Sequence, residues 1–288
     1  MKPAPFTYHD PTTADEAVAL LATHEDAKIF AGGQSLMPML NMRFVVPDHV
    51  IDLNRIEGIA GVRDGGDTIE IGAMTRQRDL MQDPVIVEKA PIIPDALHWV
   101  GHFQTRNRGT IGGSLCHLDP AAELPCLMAL YDATLTVQGP DGARQVPFAE
   151  WPLAYMLPSI GPDELLTGVS VPHWAGNTGH GFVEFARRHG DFAIIAVAAL
   201  LTIDGGKITR AAISIGGADV RPIRLTDAET ALVGAAPDAD AFKAAAEIAR
   251  GIEAMSDAYV TSAYRQRLAA TLVERALLAA ASNANGSA

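Results

Sequence analysis

Ala31-Gly32-Gly33-Gln34-Ser35-Leu36 and Gly109-Thr110-Ile111-Gly112-Gly113-Ser114-Leu115 repeat one plan within a single chain. Each sets two glycines before a small polar residue and a leucine. Glycine lets the backbone bend where a Cβ would clash, and it lets a ligand approach the main chain closely. Successive N–H groups in such a bend form a concave anion site. Ser35, Thr110 and Ser114 add hydroxyl donors. A single Gly-Gly-x-Ser is more often a plain turn, so the duplication carries the functional reading. Neither copy ends in the Gly-Lys-Ser/Thr of a P-loop, and neither is a Gly-x-Gly-x-x-Gly fingerprint. A Rossmann domain is therefore not expected.

The rest of the chain limits what these loops can serve. It has 288 residues, a length that suggests two domains, and 48% hydrophobic residues, enough for a sizeable core. Its net charge of −12 argues against nucleic-acid binding. A phosphate held by main-chain amides, without lysine, suits such an acidic protein. The longest apolar run, residues 192–201, is half the length of a membrane span, and residues 1–6 have no signal-peptide core. A cytoplasmic location is the expectation. Cys116 and Cys126 are the two cysteines. They fit no metal-ligand spacing and cannot hold a four-cysteine iron–sulfur cluster, so no metal site is expected.

Local patterns predict an α+β chain without regular βαβ alternation. Thr13-Ala14-Asp15-Glu16 reads as a capping box before an apolar stripe, and Thr226-Asp227-Ala228-Glu229 as a second such box. Residues 28–31 and 49–53 read as short strands. Thr68-Ile69-Glu70-Ile71-Gly72 alternates at period two, and Gly139-Pro140-Asp141-Gly142 joins two strands as a hairpin. Residues 175–179 form the best linker. Beyond it, Asp204-Gly205-Gly206-Lys207 marks another hairpin, followed by Ala-rich helices over residues 240–250 and 262–281. Met37, Met39 and Met42 read as core. His117 reads as a structural hydrogen bonder and Cys116 as packing. Asp119 reads as a cap on a helix opened by Pro120. Ion pairing is expected for Arg108 and for the corner formed by Arg187, Arg188 and Asp191.

At the two loops the chain resembles the FAD-binding medium subunits of the molybdenum hydroxylases, the xanthine dehydrogenase and carbon monoxide dehydrogenase medium-chain family. The first loop, with Pro38 and Arg43, resembles that family's first FAD loop. Arg106-Asn107-Arg108 leads into the second, which continues through His117, Asp119, Pro120 and Glu123 to Pro125. Phe185-Ala186-Arg187-Arg188-His189-Gly190-Asp191-Phe192-Ala193 and Tyr264-Arg265 resemble the signatures of its C-terminal domain.

The resemblance implies an FAD-binding domain of the PCMH/vanillyl-alcohol-oxidase type over residues 1–174, with subdomains of about 1–54 and 55–174. A C-terminal domain over 178–282, a three-stranded sheet plus helical bundle, and a frayed tail at 283–288 follow. It implies FAD contacts at Ala31, Gly32, Gly33, Gln34, Ser35, Leu36, Thr110, Ile111, Gly112, Gly113, Ser114, Asp119, Glu123 and Leu166. Glu123 stands where the family usually has the aspartate that accepts ribose hydroxyls. The lysine that some members carry near the flavin edge has no counterpart at Glu184-Phe185-Ala186. No catalytic acid or base is expected. The implied partners are a large molybdopterin subunit, a small subunit with two [2Fe–2S] clusters, and an external electron acceptor, in a dimer of heterotrimers. The alternatives are a non-flavinated docking scaffold of such a complex and a self-sufficient FAD reductase of the same fold.

Overall fold

The computed structural model describes residues 1–285. Its first unit comprises β1 (Thr7–His9), α1 (Ala14–Thr23), β2 (Ala27–Phe30), α2 (Leu36–Asn41) and β3 (His49–Asp52). β3 lies between β1 and β2 and pairs parallel with both. This unit does alternate strand and helix, contrary to the pattern reading. β1 escaped that reading because it has three residues, largely exposed, with no apolar alternation. The capping box forms: Glu16 N–H donates to Thr13 Oγ1 at 3.1 Å, and Thr13 N–H donates to Glu16 Oε2 at 3.3 Å. Ala17, Val18 and Leu21 of α1 are buried beside Ile51 and Leu53 in a small core. Parallel pairing sets Phe30 against Asp52. The first diglycine loop and Asn54 therefore leave the sheet side by side.

The second unit begins with β4 (Val62–Asp64) and β5 (Thr68–Gly72). Helices α3 (Gln77–Leu80), α4 (Pro84–Lys89), α5 (Ile92–Leu97), α6 (Phe103–Arg108), α7 (Ile111–His117) and α8 (Glu123–Tyr131) follow. The chain returns through β6 (Thr134–Gly139), β7 (Gly142–Pro147), a small ribbon of β8 (Pro152–Ala154) and β9 (Leu157–Pro158), and β10 (Leu165–Pro172). The five-stranded antiparallel sheet has the order β4-β5-β10-β6-β7. Ile69, Ile71, Leu135, Val137, Val169 and Val171 alternate onto one face and meet Ile86, Ile93, Leu97, Leu115 and Leu127 of the helices. Asp119 caps a turn and not a helix, its Oδ1 accepting from Ala121 N–H at 2.9 Å, because α8 starts only at Glu123.

The third unit contains β11 (Thr178–Phe185), β12 (Ile195–Asp204), β13 (Lys207–Gly216) and a two-residue β14 (Ile223–Arg224), which adds a fourth strand to the expected three. Helices α9 (Thr226–Leu232), α10 (Ala239–Arg250) and α11 (Ser262–Asn285) follow. Residues 283–285 continue α11, where a frayed tail was expected; residues 286–288 of that tail lie outside the described residues. The second capping box does not form. Glu229 instead accepts from Arg224 Nε at 2.9 Å and from Ile213 N–H at 2.8 Å, tying α9 to the sheet edge.

β12 accounts for the long apolar run. Ala198 and Leu200 join the core of the second unit, whereas Ile195, Val197, Ala199 and Leu201 join the core under α11. A strand covered on both faces needs no polar alternation. On the α11 side, a Cβ at Gly179 or Gly181 would meet the Ala280 or Ala276 carbonyl oxygen at 1.9 and 2.2 Å, so the helix lies directly on bare strand backbone. Across the seam, Gly217 N–H donates to Pro120 O at 2.8 Å and His180 pairs with Asp95 at 3.1 Å.

The expected ion-pair corner is absent among the described residues. Arg187, Arg188 and Asp191 are exposed, and Arg187 lies over the Tyr259 ring at 5.2 Å. Its turn meets the second unit through Gly190, whose Cβ would lie 3.1 Å from Gly101 O, and through a Trp99–His189 stack at 5.6 Å. Of the three methionines expected in the core, Met37 and Met39 are half-buried and Met42, at the C-cap of the short α2, is exposed; none joins a core cluster.

Arg265, at the start of α11, is buried. It donates to Ile194 O at 2.7 Å, to Gly217 O, and to Asp257 Oδ2 at 2.5 Å. Replacing it with leucine leaves two buried carbonyls without donors, a loss of about 1–3 kcal/mol. Urea denaturation of Arg265→Leu is expected to show that loss; an unchanged midpoint would contradict the anchoring role.

Candidate functional site

The two diglycine loops touch each other. A Cβ at Gly32 would lie 2.3 Å from Arg108 O and 2.9 Å from Gly109 Cα, so the main chains meet with no room for a side chain. A Cβ at Gly113 would come within 3.7 Å of the Ala31 Cβ. One arginine spans the junction. Arg76 Nη1 donates to Arg108 O and Nη2 to Asn54 Oδ1, while Asn54 Nδ2 donates to Ala31 O at 3.0 Å. Pattern reading misses both Arg76 and Asn54 as site residues, since neither lies in a motif and their partners are distant in sequence.

Within each pair the two glycines have different work. The first packs: Gly32 lies on Arg108, and a Cβ at Gly112 would lie 2.7 Å from both Ala73 O and Ala73 Cβ. The second faces fewer fixed atoms. Gly33 has φ +72°, which a branched side chain resists, and its nearest neighbour is the Phe30 ring. Gly113 meets only the Thr110 hydroxyl closely.

The donors divide unevenly as well. Ile111 and Gly112 donate their N–H groups to Thr75 O at 3.1 Å and Ala73 O at 2.8 Å. Gly113 N–H is capped by Thr110 Oγ1 at 3.0 Å, and Ser114 N–H donates to Thr110 O at 3.2 Å. The second loop therefore has its amides from Ile111 to Ser114 engaged, and Thr110 N–H is the one without an acceptor among the described residues, fewer than a cradle of two equal donor loops expects. It supplies a fixed wall and the Ser114 hydroxyl. The first loop is the donor. The N–H groups of Gly32, Gly33, Gln34, Ser35 and Leu36 have no acceptor among the described residues, and the Ser35 side chain makes no cap bond. Five consecutive amides without protein acceptors, beside a wall too close for side chains, are the donor set that a diphosphate takes.

Other candidates fall around this centre. Leu166 is buried in the core of the second unit, at a bulge in β10, and its neighbour Thr167 accepts Ala73 N–H at 3.0 Å. Asp119 is half-buried with one oxygen used in its turn. Burial holds the His117 imidazole below its usual pKa, partly offset by Asp119. Arg106 donates to Val100 O at 2.7 Å, and Arg108 makes no ion pair among the described residues, against the expectation for it. The two cysteines are free thiols pushed up to about 12 by burial, in keeping with packing.

Glu123 opens α8 with 6% of its surface exposed, and burial, followed by the Asp119 charge, pushes its carboxyl up to about 7. Glu184 comes from the other side of the seam, on β11 opposite Ala196, equally buried. Burial and the Glu123 charge raise it to about 8, and neither of its carboxylate oxygens has a hydrogen-bond partner among the described residues. In the sequence, Glu184 is marked only by standing in a segment without the lysine that some family members carry.

Comparison with known proteins supplies the family context. Residues 4–174 match the FAD binding domain in molybdopterin dehydrogenase, and residues 180–280 match the CO dehydrogenase flavoprotein C-terminal domain. The chain is 41% identical over 280 residues to the 6-hydroxypseudooxynicotine dehydrogenase complex subunit alpha of Paenarthrobacter nicotinovorans, covering 96% of this chain and 95% of that one. It is 35% identical over 282 residues to the carbon monoxide dehydrogenase medium chain of Hydrogenophaga pseudoflava, covering 97% and 98%. A chain of the solved carbon monoxide dehydrogenase from that organism, in a form lacking the Mo-pyranopterin moiety, superimposes with a TM-score of 0.95 at 36% identity, covering 98% of this chain and 99% of that one.

The acidic pair predicts a pH effect. Both folded-state carboxyls titrate above the ordinary 4.5, so the fold penalises their charged forms. Their cost is absent below pH 4.5 and grows as pH rises toward 8. Glu184→Gln is therefore expected to match the parent in thermal unfolding at pH 5 and to exceed it by about 1–3 kcal/mol at pH 8.5, in flavin-free protein. A difference that does not vary with pH would contradict this.

Proposed function

The chain belongs to the FAD-binding medium subunits of the molybdenum hydroxylases, and from that premise we propose that it is the electron-transfer subunit of a heterotrimeric enzyme, passing electrons from a partner's [2Fe–2S] clusters via FAD to an external acceptor. The partners in this reading are a large molybdopterin subunit, where the substrate is oxidised, and a small subunit with two [2Fe–2S] clusters. The assembly is a dimer of heterotrimers in the cytoplasm. Relatives named as a complex subunit and as a medium chain support membership of a multi-subunit enzyme, and no described helix is long and apolar enough to cross a membrane.

We assign FAD binding to residues 1–174, with subdomains of about 1–54 and 55–174, and the closing role to a C-terminal domain over 178–282. The observation that carries the reading is the run of acceptor-free amides from Gly32 to Leu36 set against the second loop. FAD, when bound, supplies the redox chemistry. The chain's own residues bind and orient it. Main-chain N–H groups of Gly32, Gly33, Gln34 and Ser35, with the Ser114 hydroxyl, hold the diphosphate. Ala31, Leu36, Thr110, Ile111, Gly112 and Gly113 shape the cradle by fixing the two main chains together. Glu123 and Asp119 accept from sugar hydroxyls, and Leu166 provides apolar contact. No residue here needs to act as a catalytic acid or base.

Co-purification from the source cell with a molybdenum subunit and an iron–sulfur subunit tests the partner assignment; a chain isolated alone and colourless would contradict it. Gly33→Val and Gly113→Val are each expected to abolish flavin retention while circular dichroism stays near that of the parent. A normally flavinated double variant would overturn the cradle. Ser114→Ala is expected to weaken FAD binding by about 0.5–1.5 kcal/mol, read from a fluorescence titration.

A further inference from the structure

Three histidines from three separate elements meet in the first unit. His9 ends β1, His24 caps the C-terminus of α1, and His49 opens β3. Nε2 of His9 lies 2.9 Å from Nδ1 of His49. The His24 ring stacks on the His49 ring with centroids 3.8 Å apart, and the His9 and His24 centroids are 5.1 Å apart. One ring nitrogen from each residue falls in a set whose members all lie within 4.8 Å of one another.

The backbone already holds these residues in place. His49 pairs with Thr7 on one side and Ala27 on the other, and Ala27 N–H donates to His24 O at 3.2 Å. The three ring nitrogens are thus brought within 4.8 Å of one another by the backbone's own pairing. All three residues are half-buried, so water still reaches the cluster. A histidine ligates a metal through a neutral ring nitrogen, and each of the three offers one here.

This constellation has no part in the flavin site. The first diglycine loop leaves the carboxyl end of β2, after Phe30, whereas His24 and His49 stand at the amino ends of β2 and β3. The metal-ligating cluster contains no thiolate or carboxylate. Three imidazoles without a hard oxygen ligand select zinc, nickel or copper over magnesium or calcium. Zinc–nitrogen bonds of roughly 2.0–2.1 Å put tetrahedral ligands roughly 3.3 Å apart, within the span the cluster already has.

We propose that His9, His24 and His49 form a binding site for one divalent transition-metal ion of the zinc class, with water completing the coordination, which staples α1, β1 and β3 together. The ion crosslinks segments separated by 15 to 40 residues in sequence and so stabilises the small parallel sheet from which the first loop emerges.

The test uses the full-length flavin-loaded protein, stripped with chelator and titrated with zinc chloride by calorimetry. Cobalt chloride in a parallel titration reports coordination through its visible absorption. The expected result is one zinc per chain, a raised melting temperature, and tetrahedral-type cobalt absorption. His24→Gln and His9→Gln are each expected to weaken zinc binding by about tenfold or more. His98→Gln, an exposed histidine elsewhere, is expected to leave it unchanged, as is the flavin absorbance in every variant. The two cluster variants are checked for folding by circular dichroism, and either one folded suffices. Absence of stoichiometric zinc binding in the parent, or equal affinity in a folded cluster variant, would overturn the proposal. Because flavin content is read separately, loss of the metal site and failure of the flavin assignment are distinguishable.

Discussion

The contact of Gly32 with the Arg108 carbonyl is the constraint from which the site follows. Two turns from different units approach main chain to main chain, at a distance that excludes any side chain between them. Such closeness buries peptide groups that must be satisfied. The second loop meets that demand internally, through Thr75, Ala73 and Thr110. Arg76 and Asn54 meet it across the junction. With those bonds made, the second loop is held firmly and its amides from Ile111 to Ser114 are spent. The first loop keeps its own. A binding surface arises because one partner has nearly all its amides satisfied and the other has none of five.

The seam between the second and third units rests on a different device. β12 divides its side chains between two cores, so neither can be lost without exposing the other. α8 lies on that strand, and the two buried glutamates face each other from the two sides of the seam. A buried carboxyl without a hydrogen-bond partner, as at Glu184, is costly. Its presence beside Glu123 where two well-packed units meet marks a place where the fold tolerates a cost, a pattern common near functional sites.

Much of this was legible in the sequence, and the reasons are local. The Thr13–Glu16 box, the hairpin at residues 139–142 and the period-two run in β5 each encode their structure within a few residues. The duplicated diglycine plan pointed to two turns that the fold does bring together, and the resemblance identified the ligand class. What escaped depends on partners far along the chain. β1 exists through its pairing with β3, and Glu229 left its box for an arginine on β14. Arg76 became a strut only once Arg108 and Asn54 were brought to it. The histidine cluster joins residues that share no motif. The split of labour between the glycines was illegible for the same reason: Gly32 and Gly113 look alike until their neighbours are known.

The central claim is that the first loop donates its amides to the diphosphate while the second serves as a wall. Amide chemical shifts of flavin-free protein titrated with FAD test it directly. Large shifts at Gly33, Gln34 and Ser35, with Gly112 nearly still, are the result this account predicts. Unmoved amides in the first loop, or the largest changes at Ile111 and Gly112, would contradict it.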